Sequence, residues 1–307
     1  MNKKLQYICC QPANTYYLWQ IKVLLNNFIK MDIEPDSINI ICSIEDDIIP
    51  NEWLVLEEYY KDVNFYFYND TREQKFYLPS IYFHLMKKHL QKYPELKDEV
   101  LFLHDADIVL TRPVDFTSMI DDNIWYMSNT NSYINYDYVI SKGEKLYEKM
   151  CEIIGIDKLI PKLLNNNSGG AQYIVKNTNF EFWDKVEKDS IKLYNYFCEV
   201  EPEWKDATYP IQKWTAGMWS LLWNAWYFGN ETKVDKRLDF GWVTNPYSDV
   251  KKYTILHNAG ATCSCDGLFY KGDYINKSPF NENLNIDKQK ASYFYWMEIC
   301  ETANLKM

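Results

Sequence analysis

Apolar positions along the first hundred residues alternate between two periods. Gln6-Tyr7-Ile8-Cys9-Cys10 is a short apolar run, stopped by Gln11-Pro12-Ala13-Asn14, and reads as a strand. From Tyr16 the apolar residues fall three or four apart, at Leu18, Ile21, Leu24, Leu25 and Phe28. That spacing predicts a helix, which ends near Lys30-Met31-Asp32. A second strand is predicted over residues 37–43, then an acidic loop and a short helix from Asn51. Residues 63–68 make a third strand, and Tyr82, Leu85, Met86 and Leu90 mark another helix. A fourth apolar run starts at Val100. This β-α-β-α-β-α-β rhythm predicts an α/β, Rossmann-like, doubly wound sheet flanked by helices. Ligands of such sheets bind at the carboxyl ends of the strands.

The fourth run carries the most informative chemistry. Val100-Leu101-Phe102-Leu103-His104 leads into Asp105-Ala106-Asp107, and Ile108-Val109-Leu110 resumes the strand pattern. Two carboxylates at the end of a buried strand are unfavourable unless a positive charge compensates them. In an extended chain residues i and i+2 face the same way. Asp105 and Asp107 are therefore expected to project together as hard oxygen ligands for Mg²⁺ or Mn²⁺.

Beyond Pro113 the rhythm loosens. A strand is predicted over 124–127, a polar Asn- and Tyr-rich stretch over 129–138, and helices over 145–160, 180–197 and 214–226. Asn165-Asn166-Asn167-Ser168-Gly169-Gly170-Ala171-Gln172 is a turn entering a strand, and Tyr253-Thr254-Ile255-Leu256 is a late strand that delivers His257.

Composition removes some classes of function. Apolar residues make up 47% of 307, enough for a large core, and 26 Tyr, 15 Phe and 11 Trp give an aromatic surplus that suits sugar stacking as well as packing. A formal net charge of −10 argues against nucleic acid and against anionic membranes as partners. No apolar stretch approaches the roughly 20 residues of a membrane span. The eight cysteines have no framework spacing, and Cys263-Ser-Cys265 is not a zinc pattern. With no signal-peptide pattern at the start, reduced thiols and a cytoplasmic location are expected. No Gly-x-Gly-x-x-Gly or phosphate-binding loop occurs.

Asp105-x-Asp107, Asn167-Ser168-Gly169-Gly170 and Leu256-His257-Asn258-Ala259-Gly260 together resemble the metal-dependent nucleotide-sugar glycosyltransferases of the GT-A fold. The likeness is greatest to retaining glycogenin-like and bacterial galactosyltransferases. Gly169-Gly170-Ala171-Gln172 and Trp214-Thr215-Ala216-Gly217-Met218 also resemble plant hydroxyproline arabinosyltransferases and peptidyl-serine galactosyltransferases. The resemblance implies one GT-A domain over 1–307, with a mixed sheet. Residues 5–112 or so would hold the nucleotide sugar, and 113–307 the acceptor and a C-terminal metal-binding segment. It implies transfer of a hexose or pentose from a nucleotide sugar, foremost a UDP-sugar, to a hydroxyl of a glycan or glycopeptide, with retention. Asp105, Asp107 and His257 would hold Mn²⁺ or Mg²⁺, the imidazole favouring Mn²⁺.

Donor contacts are implied for Gln11, Pro12, Asn14, Arg72, Asp105, Asn167, Ser168, Gly169, Gly170, Gly260 and Lys271. Gln172 would lie near the anomeric carbon. Those plant families carry an acid where Gly217 stands. Asp206, or Glu201 or Glu203 beside it, would then supply the base an inverting mechanism needs. A nucleotidyl-transferring enzyme, or a non-catalytic sugar-binding module of the same fold, is the alternative reading.

Overall fold

The computed structural model describes residues 3–204 and 210–305. In chain order the main elements are β1 (Leu5–Pro12), α1 (Thr15–Lys30), β2 (Ile38–Ile44), α2 (Asn51–Tyr59), β3 (Asn64–Asn69), α3 (Ser80–Lys92), β4 (Val100–Leu103) and β5 (Ile108–Leu110). They continue with β6 (Trp125–Ser128), α4 (Tyr136–Lys142), α5 (Glu144–Ile154), α6 (Leu159–Leu163), β7 (Gly170–Lys176), α7 (Phe180–Val200), α8 (Ala216–Tyr227), β8 (Thr232–Val234), β9 (Phe240–Trp242), β10 (Ile255–His257) and α9 (Ser292–Ala303). The chain forms two compact units, each assembled from separate segments. One comprises Gln6–Asn69, His104–Ser118 and Arg237–Met307, and is called the β1 unit below; the other comprises Met1–Leu5, Asp70–Leu103 and Met119–Lys236, and is called the β7 unit.

In the β1 unit, β1, β2 and β3 lie parallel in the order β3-β2-β1, the product of two successive βαβ crossovers. Helix α1 starts where Asn14 accepts a hydrogen bond from the Tyr17 N–H, and it buries Trp19, Val23, Leu24 and Phe28. A second, three-stranded sheet has the order β5-β10-β9. Trp19, Val109, Leu256, Phe269, Tyr295 and Trp296 share one core, which ties α1 to this small sheet and to α9. Asn27 of α1 is buried and grips the edge of β5, accepting from the Leu110 N–H at 2.7 Å and donating to the Leu110 carbonyl at 3.0 Å. The side-chain amide takes the place of a missing strand, so Leu110 leaves no backbone group unpaired.

In the β7 unit, β7 runs antiparallel to both β4 and β6, and β6 runs parallel to β8. Lys176 at the end of β7 is fully buried and paired with Asp122 at 2.5 Å. Helices α3, α7 and α8 pack on one another, with Trp183, Trp219 and Trp223 buried. The parallel βαβαβ start and the mixed strand directions confirm the α/β, Rossmann-like class. No helix among the described residues is long and apolar enough to cross a membrane.

Four features of the sequence reading change. The helix predicted over 145–160 stops at Ile154, because Gly155 turns left-handed (φ 77°) and α6 starts afresh at Leu159. Helix α8 begins at Ala216, since a 3₁₀ turn takes up Lys213–Thr215. Ile108–Leu110 does not resume the strand before it; it joins the small sheet with β10. Cys263 and Cys265, expected as free thiols, are joined by a disulfide. Their Cα atoms are 5.2 Å apart, within bridging range, while Cys9, Cys10, Cys42, Cys151, Cys198 and Cys300 are free.

Candidate metal centre

The centre lies within the β1 unit and is built by strand register. β10 pairs antiparallel with β5, with His257 opposite Ile108 and Leu256 opposite Val109. Asp107 precedes Ile108 and Asn258 follows His257, and the Asn258 N–H donates to the Asp107 carbonyl at 2.9 Å. A residue 150 positions downstream is thereby fixed beside the carboxylates by backbone geometry alone. Asp105 and Asp107 do converge, but not by strand alternation: Ala106 and Asp107 form a turn between β4 and β5. The turn bends both carboxylates towards the imidazole. Upstream, the His104 N–H donates to the Ile8 carbonyl at 3.1 Å, which anchors the entry to the turn.

His257 Nε2 lies 3.2 Å from Asp107 Oδ1 and 3.4 Å from Asp105 Oδ2. One ligand atom from each of the three residues lies within 4.8 Å of the other two. Adjacent ligands of an octahedral ion with bonds of about 2.1 Å stand about 3 Å apart, so the triad fits a divalent cation with little movement. Two carboxylates and an imidazole are an oxygen and nitrogen donor set that suits Mn²⁺ or Mg²⁺. The Trp242 ring stacks on the imidazole with centroids 5.8 Å apart and planes at 13°, and Phe240 meets it edge-on at 5.3 Å. These rings hold the imidazole in place. Its Nδ1 is buried without a hydrogen-bond partner.

Lys271 donates to the other oxygen of Asp107. It is delivered by Phe269, which is buried against Tyr274, Tyr295 and Trp296 and whose N–H donates to Ser292 Oγ. Burial pushes the Asp107 carboxyl up, but Lys271 and His257 outweigh it and hold the group well below the ordinary carboxylate range. Burial also works against charge on His257 and Lys271, and in each case the carboxylates more than offset it and raise the pKa. Asp105 differs. About half of its side chain is open to solvent, yet desolvation in the recess and repulsion from Asp107 outweigh His257 and raise its pKa. Gly260, at φ 90°, takes a left-handed conformation that favours glycine in the loop leaving the site.

The remaining residues singled out in the sequence have varied placements. Pro12 ends β1 opposite Ser43. Gln11 is buried, accepting from Cys9 Sγ and donating to Cys42 Sγ, so its amide is committed to the core rather than turned to a nucleotide base. The Asn14 side chain caps α1. Arg72, in the β7 unit, is also spoken for: its guanidinium makes a two-point contact with Asp70 and donates to Ser80 Oγ and the Tyr77 carbonyl. That role differs from the phosphate contact expected, because a carboxylate two residues away satisfies the charge first. Asp206 lies outside the described residues, and Glu201 is exposed and paired with Lys213 at 2.6 Å.

Also in the β7 unit, the backbone packs closely at Gly169 and a methionine tip covers Gly170. A Cβ on Gly169 would stand 2.6 Å from the Ser128 carbonyl, and one on Gly170 2.4 Å from Met218 Cε. Gln172 is fully buried and accepts from Ser128 Oγ at 2.9 Å, so it presents no surface to a substrate as it stands. The Asn167 carbonyl accepts from Thr232 Oγ1, and Ser168 is buried. Gly217 has no room for an acid: a Cβ there would meet Phe83 at 2.8 Å, and its N–H donates to the Tyr77 hydroxyl. Sequence reasoning missed Trp242, Phe240 and Asn27. Short strands such as β9 carry too few residues for a periodic signal, and an amide that clamps a strand edge has no sequence pattern at all.

No protein-family model matches the chain, and no curated protein matches it. Solved structures do. One is a glycosyltransferase involved in the glycosylation of the major capsid of PBCV-1, with 14% identity over 84% of this chain and 95% of that one, at a TM-score of 0.40. A second is the galactosyltransferase LgtC in complex with donor and acceptor sugar analogs, with 12% identity, 99% and 98% coverage and a TM-score of 0.40. The bifunctional glycosyltransferase WbbM matches with 9% identity and a TM-score of 0.46; this chain, 98% covered, spans half of its length. At these TM-scores the likenesses carry no argument about fold or activity.

Proposed function

We propose that the chain is a metal-dependent glycosyltransferase of the GT-A kind, moving a hexose or pentose from a nucleotide sugar to a hydroxyl of a glycan or glycopeptide acceptor. The observation that carries this reading is the Asp105–Asp107–His257 triad, held by the β5–β10 register and facing a lysine. A sugar diphosphate is anionic, and its leaving group gains charge as the glycosidic bond breaks. A divalent ion in the triad would act as a Lewis acid on the pyrophosphate. Asp107 and His257 would hold the ion, and half-exposed Asp105 would complete the shell or turn to the ribose. Lys271, already within hydrogen-bond reach of Asp107, is placed to transfer its contact to a phosphate oxygen and steady the leaving group.

Mn²⁺ is the preferred ion, given the imidazole ligand, and a UDP-sugar the preferred donor. Retention is the preferred outcome, on the resemblance of the motifs to retaining families.

The test is to incubate the protein with Mn²⁺ and a panel of UDP- and GDP-sugars and to follow nucleoside diphosphate release. Release that stops in excess chelator supports the reading. Release that continues unchanged in chelator removes the metal from it, and an inverted anomeric centre in the product removes retention.

A further inference from the structure

Several polar and aromatic groups gather near the Gly169-Gly170 turn. Trp214 is 53% exposed, whereas Trp219 and Trp223, a little further along the same segment, are buried. Its position is nonetheless fixed. The Tyr77 hydroxyl donates to the Trp214 carbonyl at 2.8 Å and accepts the Gly217 N–H at 2.7 Å. Tyr77 is in turn stacked on Tyr194, with centroids 4.5 Å apart. Tyr133 meets Trp214 with ring centres 6.0 Å apart and planes at 43°. The pair is a pre-set aromatic corner, so a ligand that met it would spend little ordering entropy on it.

Polar groups sit in the same place. The turn that carries Tyr133 is closed by its N–H donating to the Thr130 carbonyl. Thr130 Oγ1 and Asn131 Oδ1 in that turn are buried with no hydrogen-bond partner, as are Ser168 Oγ and Gln172 Nε2 beside the glycines. Thr130 Oγ1 and Met218 Cε both lie against Gly170, at 3.2 and 2.4 Å from where its Cβ would be. The Thr130 turn, the glycine turn and the start of α8 therefore converge. Buried polar atoms of native proteins are almost always paired, so a cluster of orphans points to a ligand that supplies the missing hydrogen bonds.

Aromatic faces beside unpaired hydroxyls and amides match the chemistry of a sugar ring. Its C–H face stacks on an aromatic ring, and its hydroxyls donate and accept at the edges. We propose that Trp214 and Tyr133 are the platform for a pyranose ring of a glycan acceptor, with partly exposed Asn131 reading its hydroxyls. Only the word acceptor rests on the glycosyltransferase reading; the platform is a claim about carbohydrate binding.

The experiment needs neither donor nor metal. Maltotriose, lactose, chitotriose and xylotriose, and a Ser/Thr-containing peptide, are titrated against the full chain by saturation-transfer NMR. At least one oligosaccharide should bind. Trp214→Ala should weaken it about tenfold, the size of one lost aromatic contact, and Trp214→Phe should restore most of it. Asn131→Ala, which removes the side-chain amide, should weaken the same sugar. Tyr227→Ala, at the other end of α8, should leave binding intact. Binding of no oligosaccharide, or equal binding by Trp214→Ala, overturns the platform. Trp214-dependent binding of the peptide alone overturns the choice of a glycan. Loss of the glycosyltransferase reading with sugar binding intact would leave the platform standing.

Discussion

Two clusters in this protein combine a histidine, carboxylates and lysine, and they are not alike. In the β7 unit His84 Nδ1 lies 2.9 Å from Glu187 Oε1, Lys87 takes Glu187 Oε2 at 2.5 Å, and Asp184 is shared by Lys87 and Lys188. The remaining nitrogen of His84 meets Thr71 Oγ1 at 3.2 Å. Two carboxylates face two ammonium groups, and the set is electrically closed. In the β1 unit, Asp105 and Asp107 face one ammonium, Lys271, and an imidazole whose second nitrogen has no partner. The carboxylates hold a proton on His257 by raising its pKa, and a divalent ion would take that proton's place between them. Residue types alone would have scored the two clusters equally; the second imidazole nitrogen, met by Thr71 in one and without a partner in the other, separates a structural network from a ligand site.

The first way to break this contrast is Asp107→Ala. It should cut metal-dependent nucleoside diphosphate release by at least about a thousandfold while the circular dichroism spectrum stays native, since both the ion and the leaving group lose their anchor. Comparable turnover in that variant would reduce the β1 cluster to a second structural network. Glu187→Ala should do the reverse, leaving Mn²⁺ binding intact and lowering the free energy of unfolding by about 3 kcal/mol, because His84 and Lys87 lose a buried partner. Urea unfolding and a metal titration on the same sample separate the two effects.

A smaller effect concerns His89. Burial, and then Lys92, lower the pKa of His89 from 6.5 to about 4. Below pH 6.5 the unfolded chain takes up a proton that the folded chain refuses, so stability falls as pH drops towards 4. Between pH 7 and pH 5 the loss should be about 2 kcal/mol. The urea midpoints of wild type and His89→Gln at the two pH values check this, the variant showing the weaker pH dependence. The smallest effect is at Gly217. A methyl group there overpacks against Phe83 at a cost of about 1–3 kcal/mol, and the helix recovers about 1 kcal/mol over glycine, so Gly217→Ala should lose roughly 1 kcal/mol in the same assay.

What the sequence disclosed follows the same division. The strand ending at Leu103, the acids after it and the short strand that brings His257 were legible, because burial of β4, β5 and β10 demands apolar runs and the acids interrupt one. Gln11 and Arg72 were not, since each was satisfied by a neighbour that no periodicity reveals: Cys9 and Cys42 for one, Asp70 for the other. Alternation along an extended strand gave a sound reason to group Asp105 with Asp107, but a turn is what achieves it. The closed ion network of α3 and α7 went unnoticed because His84 and Glu187 are 103 residues apart, and nothing in either helix pattern marks them as partners.

The most direct measurement is a calorimetric titration of Mn²⁺ into the wild-type protein and into His257→Ala. One ion should bind per wild-type chain, and binding should be lost or weakened by at least about a hundredfold when the imidazole ligand is removed. Absence of binding to the wild type, or equal affinity in the variant, would contradict the metal centre on which the proposed activity depends.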